Sequence, residues 1–348
     1  MNATSDKPEP CAATAAGPAP VRTRRMSFLL GVLFTAIFLF VMQAGLHVYA
    51  LVSRPGLSVV SNRIDLNRIM QNDPDTFWSL LPNLKNVEFK PQPMGPPRSF
   101  HVSTNELGLR NPPLREKGGR LRILAVGDST TFGQYVEDGE TWPAQLQTIL
   151  DPGGTRADVV NAGLIGATSF QGLSYLLKRG FDLQPDAVIA TYGFNDRGSW
   201  SFGDRTAWPL FQQTGLGSII NDCVHRREKG NPNPVPRVSA GEFLDTLMLL
   251  ASECESRGVK LYLIVWPDLI HITGEWSKFS PMEYKSLIFE AAFRTHARTV
   301  DLRRPFHDMP EPALLDCVHA TPAGCRVAAD CIASALREDL PQLQAASR

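Results

Sequence analysis

Residues 121–130 read LRILAVGDST, and the fold is decided there. The first seven are a short apolar run ending in glycine, the pattern of a buried strand. The polar Asp128-Ser129-Thr130 that follows marks a strand-to-helix turn. Four more runs of the same kind lie downstream: ADVVNAG (157–163), DAVIATYG (186–193), VKLYLIVWP (259–267, stopped by Pro267) and RTVDL (298–302). Helical patterns separate them. Thr141 to Leu150 places Trp142, Leu146 and Leu150 four apart, with Pro143 in the first turn. Ser169 to Leu177, Gly241 to Arg257 (Phe243, Leu244, Leu247, Leu250), Met282 to Ala297 and Thr321 to Leu340 follow. Strands alternating with helices predict parallel βαβ units covered on both faces. In such open sheets the ligand crevice lies beyond the carboxyl ends of the strands.

The chain outside this region has a different texture. Met26 to Val52 contains no Asp, Glu, Lys or Arg. Its 27 residues would reach about 40 Å as a helix, more than the ~30 Å hydrocarbon core of a bilayer. It has no polar face of the kind a core helix needs. A cleaved signal peptide has a shorter apolar region and a small-residue cleavage site, so the reading taken is an uncleaved anchor. Arg22, Arg24 and Arg25 precede the run and predict a cytoplasmic N-terminus. The expectation is therefore a single-pass cytoplasmic-membrane protein with its bulk outside. The formal net charge of zero divides into +2 for residues 1–25 and −2 for the rest. A general nucleic-acid binder would need a basic excess, so that class is excluded. Four parts are expected: a disordered tail (1–25), the transmembrane helix (26–52), a proline-rich stalk or extension packed on the main domain (53–118), and the α/β domain (119–348).

Candidate chemistry sits at the predicted strand ends. The first ends in Gly127-Asp128-Ser129, the second in Asn161-Ala162-Gly163, and the third in Gly193-Phe194-Asn195-Asp196. Asp316-Cys317-Val318-His319 precedes the last helix. Each alone reads as turn or cap chemistry. Together they supply the parts of nucleophilic catalysis. A serine hydroxyl needs a base to take its proton, which His319 can be. Asp316 can hold the other ring nitrogen. Backbone N–H groups at Ser129 and Gly163, with the Asn195 amide, can meet an oxyanion.

These blocks, in this order, resemble those of the SGNH (GDSL-type) hydrolases over residues 119–340. The resemblance implies a three-layer α/β/α, flavodoxin-like fold with a parallel sheet. It implies Ser129 as nucleophile, His319 and Asp316 as its triad partners, and Gly163 and Asn195 as oxyanion donors. Thr130 stands where many members have Leu. The stretch Asn105-Glu-Leu-Gly108-Leu-Arg110 looks like an element that precedes the first block in some bacterial members; by itself it reads as a turn with a packing arginine. The Gly-x-Ser-x-Gly elbow is absent, with Thr131 at the second Gly position, and so is any phosphate-binding Gly loop.

The resulting expectation is a serine esterase acting through an acyl-enzyme on an ester-bearing small molecule, lipid or glycan. An O-acyltransferase on an envelope polysaccharide uses the same residues, and a non-catalytic binding or assembly protein is the third reading. Neither cofactor nor metal is expected, because no Cys or His cluster has zinc spacing. Residues 196–238 read as a long inserted loop whose Trp200, Phe202, Trp208 and Phe211 either line a pocket or form its core. The other histidines, His225 and His271 among them, read as surface or satisfied residues. A bridge from Cys317 to Cys325 or Cys331 would brace the Asp316–His319 turn, and free buried thiols are the alternative.

Overall fold

A computed structural model describes residues 21–53, 66–91, 98–200, 203–213, 235–269, 272 and 282–344. The five expected strands form one parallel sheet. They are β5 (Leu121–Gly127), β6 (Ala157–Gly163), β7 (Ala187–Thr191), β10 (Lys260–Val265) and β11 (Arg298–Asp301). Their order is β11-β10-β7-β5-β6, the flavodoxin-like arrangement. The chain leaves β5 for β6 on one side and returns to β7 on the other, so the topological switch point lies at β5.

Alternation along the strands builds two cores. Ile123, Ala125, Val159, Ile189, Tyr262 and Ile264 face one side. There they pack on α3 (Trp142–Leu150), α8 (Arg303–His307) and α9 (Pro322–Asp339). Leu124, Val126, Val160, Val188, Leu263 and Val265 face the other. That side is covered by α4 (Ser169–Tyr175), α6 (Ala240–Glu255) and α7 (Met282–Thr295). Burial on both faces is why these strands read as apolar runs instead of alternating ones. Local signals set the helix ends. Thr141 caps α3, Ser239 and Glu242 form a capping box on α6, and Thr321 caps α9. The helix expected over 169–177 continues as a π-helical turn to Gly180.

Four short strands lie within residues 66–91 and 98–118. β1 (Met70–Asp73) pairs with β2 (Phe77–Leu80), and β3 (Val87–Phe89) with β4 (Phe100–Val102), both antiparallel. Leu66, Trp78, Leu80, Phe89, Phe100 and Val102 join Phe132, Tyr135 and Ile165 in a third apolar cluster. The inserted segment also departs from a plain loop. Its described part holds β8 (Ser199–Trp200) paired with β9 (Val235–Pro236), and α5 (Asp204–Gln213). Trp208 sits edge-on to Phe77 and Phe170, while Phe202, His225 and His271 fall outside the described residues.

The chain divides into two units, Met1–Ser53 and Arg54–Arg348. The first holds α1 (Val21–Ser53). Within it Ser27–Gly45 is apolar, wholly unburied and long enough to cross a membrane or to serve as a signal sequence.

Candidate active site

The ends of β5, β6 and β7 are level, because Gly127 pairs with both Gly163 and Thr191. Glycine is required at the first of these ends. A Cβ on Gly127 would fall 2.2 Å from Thr131 Oγ1 and 2.9 Å from the Thr191 carbonyl. The chain turns there into α2 (Ser129–Phe132). Asp128 caps that helix, accepting from Thr130 N (2.9 Å) and Thr130 Oγ1 (2.7 Å). Ser129 thus becomes the first residue of a helix that starts at the crevice.

Asp316 and His319 arrive on the turn before α9, which is tied down on several sides. Trp266 Nε1 donates to the Val318 carbonyl at 2.9 Å, Leu269 N to the Cys317 carbonyl at 2.8 Å, and Leu315 N to the His319 carbonyl at 2.7 Å. Asp316 Oδ1 accepts from the N–H groups of Val318 and His319, both at 2.9 Å. Its Oδ2 lies 2.7 Å from His319 Nδ1. His319 Nε2 lies 2.8 Å from Ser129 Oγ. Serine, histidine and aspartate, 190 residues apart in sequence at the extremes of the first link, form one hydrogen-bonded chain. Burial alone would raise the Asp316 carboxyl, but the bonds from His319 and the two backbone N–H groups outweigh it and hold the group at about 2. Asp316 is therefore ionised at neutral pH. Ser129 and His319 are 7% and 9% exposed, so the pair is largely removed from water.

Gly163 and Asn195 are brought to the same place. Gly163 N donates to Asn161 Oδ1 at 3.0 Å. The Asn195 amide donates to Asp128 Oδ2 (3.3 Å) and to the Ala167 carbonyl (3.0 Å). Burial raises the Asp128 carboxyl, and the Thr130 bonds offset this only in part. All five residues singled out from the sequence therefore converge at the β5–β7 ends. Cys325 and Cys331 are free thiols, so neither is bridged to Cys317, and burial pushes Cys325 up to about 12. Among the described residues no group of three or more His, Cys, Asp or Glu side chains gathers as a metal site would.

Several residues around the site were not legible beforehand. Asp196 is fully buried and accepts from Gly193 N, Ser169 N and Ser169 Oγ, which locks the third block to the start of α4. Burial raises it to about 6 against those bonds. Lys285 donates to the Trp266 carbonyl and lies 3.9 Å from Asp268, and burial lowers it to about 8. Tyr135 stands edge-on to the His319 ring, centroids 5.1 Å apart at 77°. Each had only a local signal, an Asn-Asp pair or a lone Lys or Tyr, and each acquires meaning from partners distant in sequence.

Residues 125–327 match the GDSL-like lipase/acylhydrolase family. No curated protein matches the chain. Among solved structures, a lipase/acylhydrolase from Enterococcus faecalis is 19% identical, with a TM-score of 0.45, over 63% of this chain and 96% of its own. An acetyl xylan esterase, AlAXEase, is 17% identical, with a TM-score of 0.46, over 62% of this chain and 100% of its own. TesA is 17% identical, with a TM-score of 0.44, over 63% of this chain and 99% of its own.

Proposed function

Because the chain belongs to the GDSL-like lipase/acylhydrolase family, we propose that it is a serine ester hydrolase with Ser129 as nucleophile. The observation that carries this reading is the continuous chain Ser129 Oγ–His319 Nε2 (2.8 Å) and His319 Nδ1–Asp316 Oδ2 (2.7 Å). His319 takes the Ser129 proton as Oγ attacks the ester carbonyl. Asp316, ionised, stabilises the imidazolium. The intermediate collapses as His319 gives that proton to the departing alcohol, leaving an acyl group on Ser129. Water, deprotonated by His319, then attacks the acyl carbonyl; the adduct expels Ser129 Oγ, which takes the proton back from His319, and the carboxylic acid leaves.

The oxyanion needs donors. The Ser129 N–H lies in the first turn of α2, where amides have no intrahelical acceptor. Gly163 N–H and the Asn195 amide are the other two. At rest both are engaged, with Asn161 and with Asp128 and Ala167. A developing oxyanion is a stronger acceptor than the neutral oxygens of Asn161 and Ala167, and the bond from Asn195 to Asp128 is long at 3.3 Å, so the donors are drawn over as charge develops.

The test is turnover of p-nitrophenyl acetate by the purified chain. Ser129→Ala should lower kcat by about a million-fold, as loss of the nucleophile does in a triad enzyme, with its thermal transition unchanged. A fluorophosphonate should label the wild type at Ser129. Absence of both turnover and label would remove this reading.

A further inference from the structure

Arg110 closes the Asn105–Arg110 stretch. Its side chain is fully buried. A guanidinium has five N–H donors and no acceptor, and all five are used here. Nε donates to Asp138 Oδ1 at 2.8 Å. Nη1 donates to the carbonyls of Phe132 (3.0 Å) and Gly133 (2.7 Å). Nη2 donates to the carbonyls of His101 (2.7 Å) and Val136 (2.8 Å). Three of these four carbonyls lie in 132–136, where the chain leaves α2. The last carbonyls of a helix have no intrahelical donor, and Gly133 turns into the left-handed region at φ 83°. Arg110 gives the Phe132 and Gly133 carbonyls their shortest donors, beside the 3.4 Å bonds from Asn161 Nδ2 and Val136 N. Its guanidinium also lies 4.6 Å over the Phe132 ring.

Tyr135 sits inside the segment so held. Its φ is 76°, a region that a bulky residue enters only under constraint. The constraint is visible on both sides. The carbonyls of Gly133 and Val136 flank it and are held by Arg110. Its buried ring is wedged between Phe100 (6.0 Å, edge-on) and His319 (5.1 Å, edge-on). Asp316 and Ser129 bond the two nitrogens of the imidazole, and these in-plane bonds still leave the ring free to rotate about the line that joins them. The Tyr135 edge closes that freedom.

We propose that Arg110 and Tyr135 are positioning residues for the Ser129–His319 pair: Arg110 fixes the 132–136 segment at the end of the serine helix, and Tyr135, presented by that segment, sets the plane of the imidazole. This rests on the assignment of Ser129 and His319 as nucleophile and base. It makes residues 98–110 part of the catalytic apparatus. Lysine cannot replace Arg110, because its donors radiate from one point and do not span four carbonyls.

The experiment uses the full chain and counts active sites by exhaustive fluorophosphonate titration, so that turnover is expressed per titrated site. Asparagine tolerates positive φ, so Tyr135→Asn removes the ring without adding strain. It and Arg110→Lys should each lower kcat per site about a hundred-fold while KM changes little, the scale on which misplacement of reacting groups acts. Tyr135→Phe, which keeps the ring, should retain wild-type kcat per site. If Arg110→Lys shows no cooperative thermal transition, Asp138→Asn decides for Arg110. It weakens the Nε contact at a partly exposed carboxylate, together with the bond from Ser103 N to the same oxygen (3.3 Å), and leaves the four carbonyl contacts in place; it should give the same pattern with a smaller loss. A merely structural role lowers the number of titrated sites and leaves each remaining site at full speed. That outcome, or a Tyr135→Phe loss equal to that of Tyr135→Asn, overturns the proposal. A wild type with neither turnover nor label at Ser129 defeats the serine-esterase reading instead, so the two failures are distinguishable.

Discussion

Two regions grip the serine helix α2, and they do so by different physics. The sheet grips it through backbone contact. The ends of β5, β6 and β7 are level, and a Cβ on Gly163 would lie 2.1 Å from Phe132 N and 2.6 Å from the Thr131 carbonyl carbon. The extension, residues 66–118, grips it through polar bonds. Arg110 holds the Phe132 and Gly133 carbonyls at the end of α2, while Trp78 Nε1, donating to the Ile165 carbonyl at 2.9 Å, and the Thr76 carbonyl, accepting from Gln171 Nε2 at 2.6 Å, tie the extension to the turn after β6 and to α4. The sheet spreads its load over many apolar contacts that ignore pH and salt. The extension adds a few side-chain bonds to the apolar cluster it shares with Phe132, Tyr135 and Ile165. The lesson is that the sheet should fail only where backbone meets backbone, whereas the extension should fail at single side chains.

Gly163→Ala attacks the sheet at its intolerant point and should have the largest effect. The atoms it meets are main chain and cannot swing aside, so α2 must retreat. We expect a stability loss of about 3 kcal/mol, the upper end of overpacking costs, and a kcat fall of about a hundred-fold from the displaced serine. Denaturant melts and steady-state kinetics measure the two. A variant that keeps wild-type stability would show that the close approach carries no load. Trp78→Phe tests the extension. The indole is 1% exposed and lies 5.4 Å under the Arg237 guanidinium. Its loss leaves the Ile165 carbonyl without its donor, a penalty of about 2 kcal/mol. Turnover per labelled site should hold, because Trp78 touches neither the serine nor the histidine. An unchanged melting temperature would mean that the extension is not held by single bonds.

The same contrast decides what could be read from the sequence. LRILAVG and its four companions are buried on both faces, so burial writes itself as a continuous apolar run. The strands of the extension are three or four residues long, shorter than any period that would betray them. Asp316 and His319 were legible because a local Asp-x-x-His spacing brings both onto one turn. Arg110 was legible only as a packing arginine, because four of its five acceptors are carbonyls, and a carbonyl carries no sequence mark. α5 escaped for a third reason. Asp204 at its start is buried against Arg237, 2.9 Å away, so part of what fixes it is an ion pair to a residue beyond the inserted segment's middle.

Acid offers the smallest and most selective perturbation. Asp73 on β1 accepts from both ends of the Arg179 guanidinium, at 2.8 and 2.9 Å, and from the backbone of Asp75 and Thr76. Burial works to raise its carboxyl, but the Arg179 and backbone bonds prevail and hold it below its ordinary value of 3.8. A carboxylate lowered by folding contributes stability that is present above its unfolded value and is lost as pH falls through its folded value. Arg179 is 40% exposed, so water screens the pair and the contribution is modest. Its location still matters, because it ties β1 to the turn after α4, whereas Ile123 to Val126 on β5 are packed among apolar side chains that do not titrate. As pH falls below about 3.8, the amides of Asp75, Thr76 and Leu81 should lose exchange protection before those of Ile123 to Val126, once intrinsic rates are corrected. Asp73→Asn should show the same early opening at neutral pH, because an amide cannot replace the charge that Arg179 meets. If both regions opened together at one pH, the extension would share the sheet's cooperativity, and the contrast between the two grips on α2 would fall.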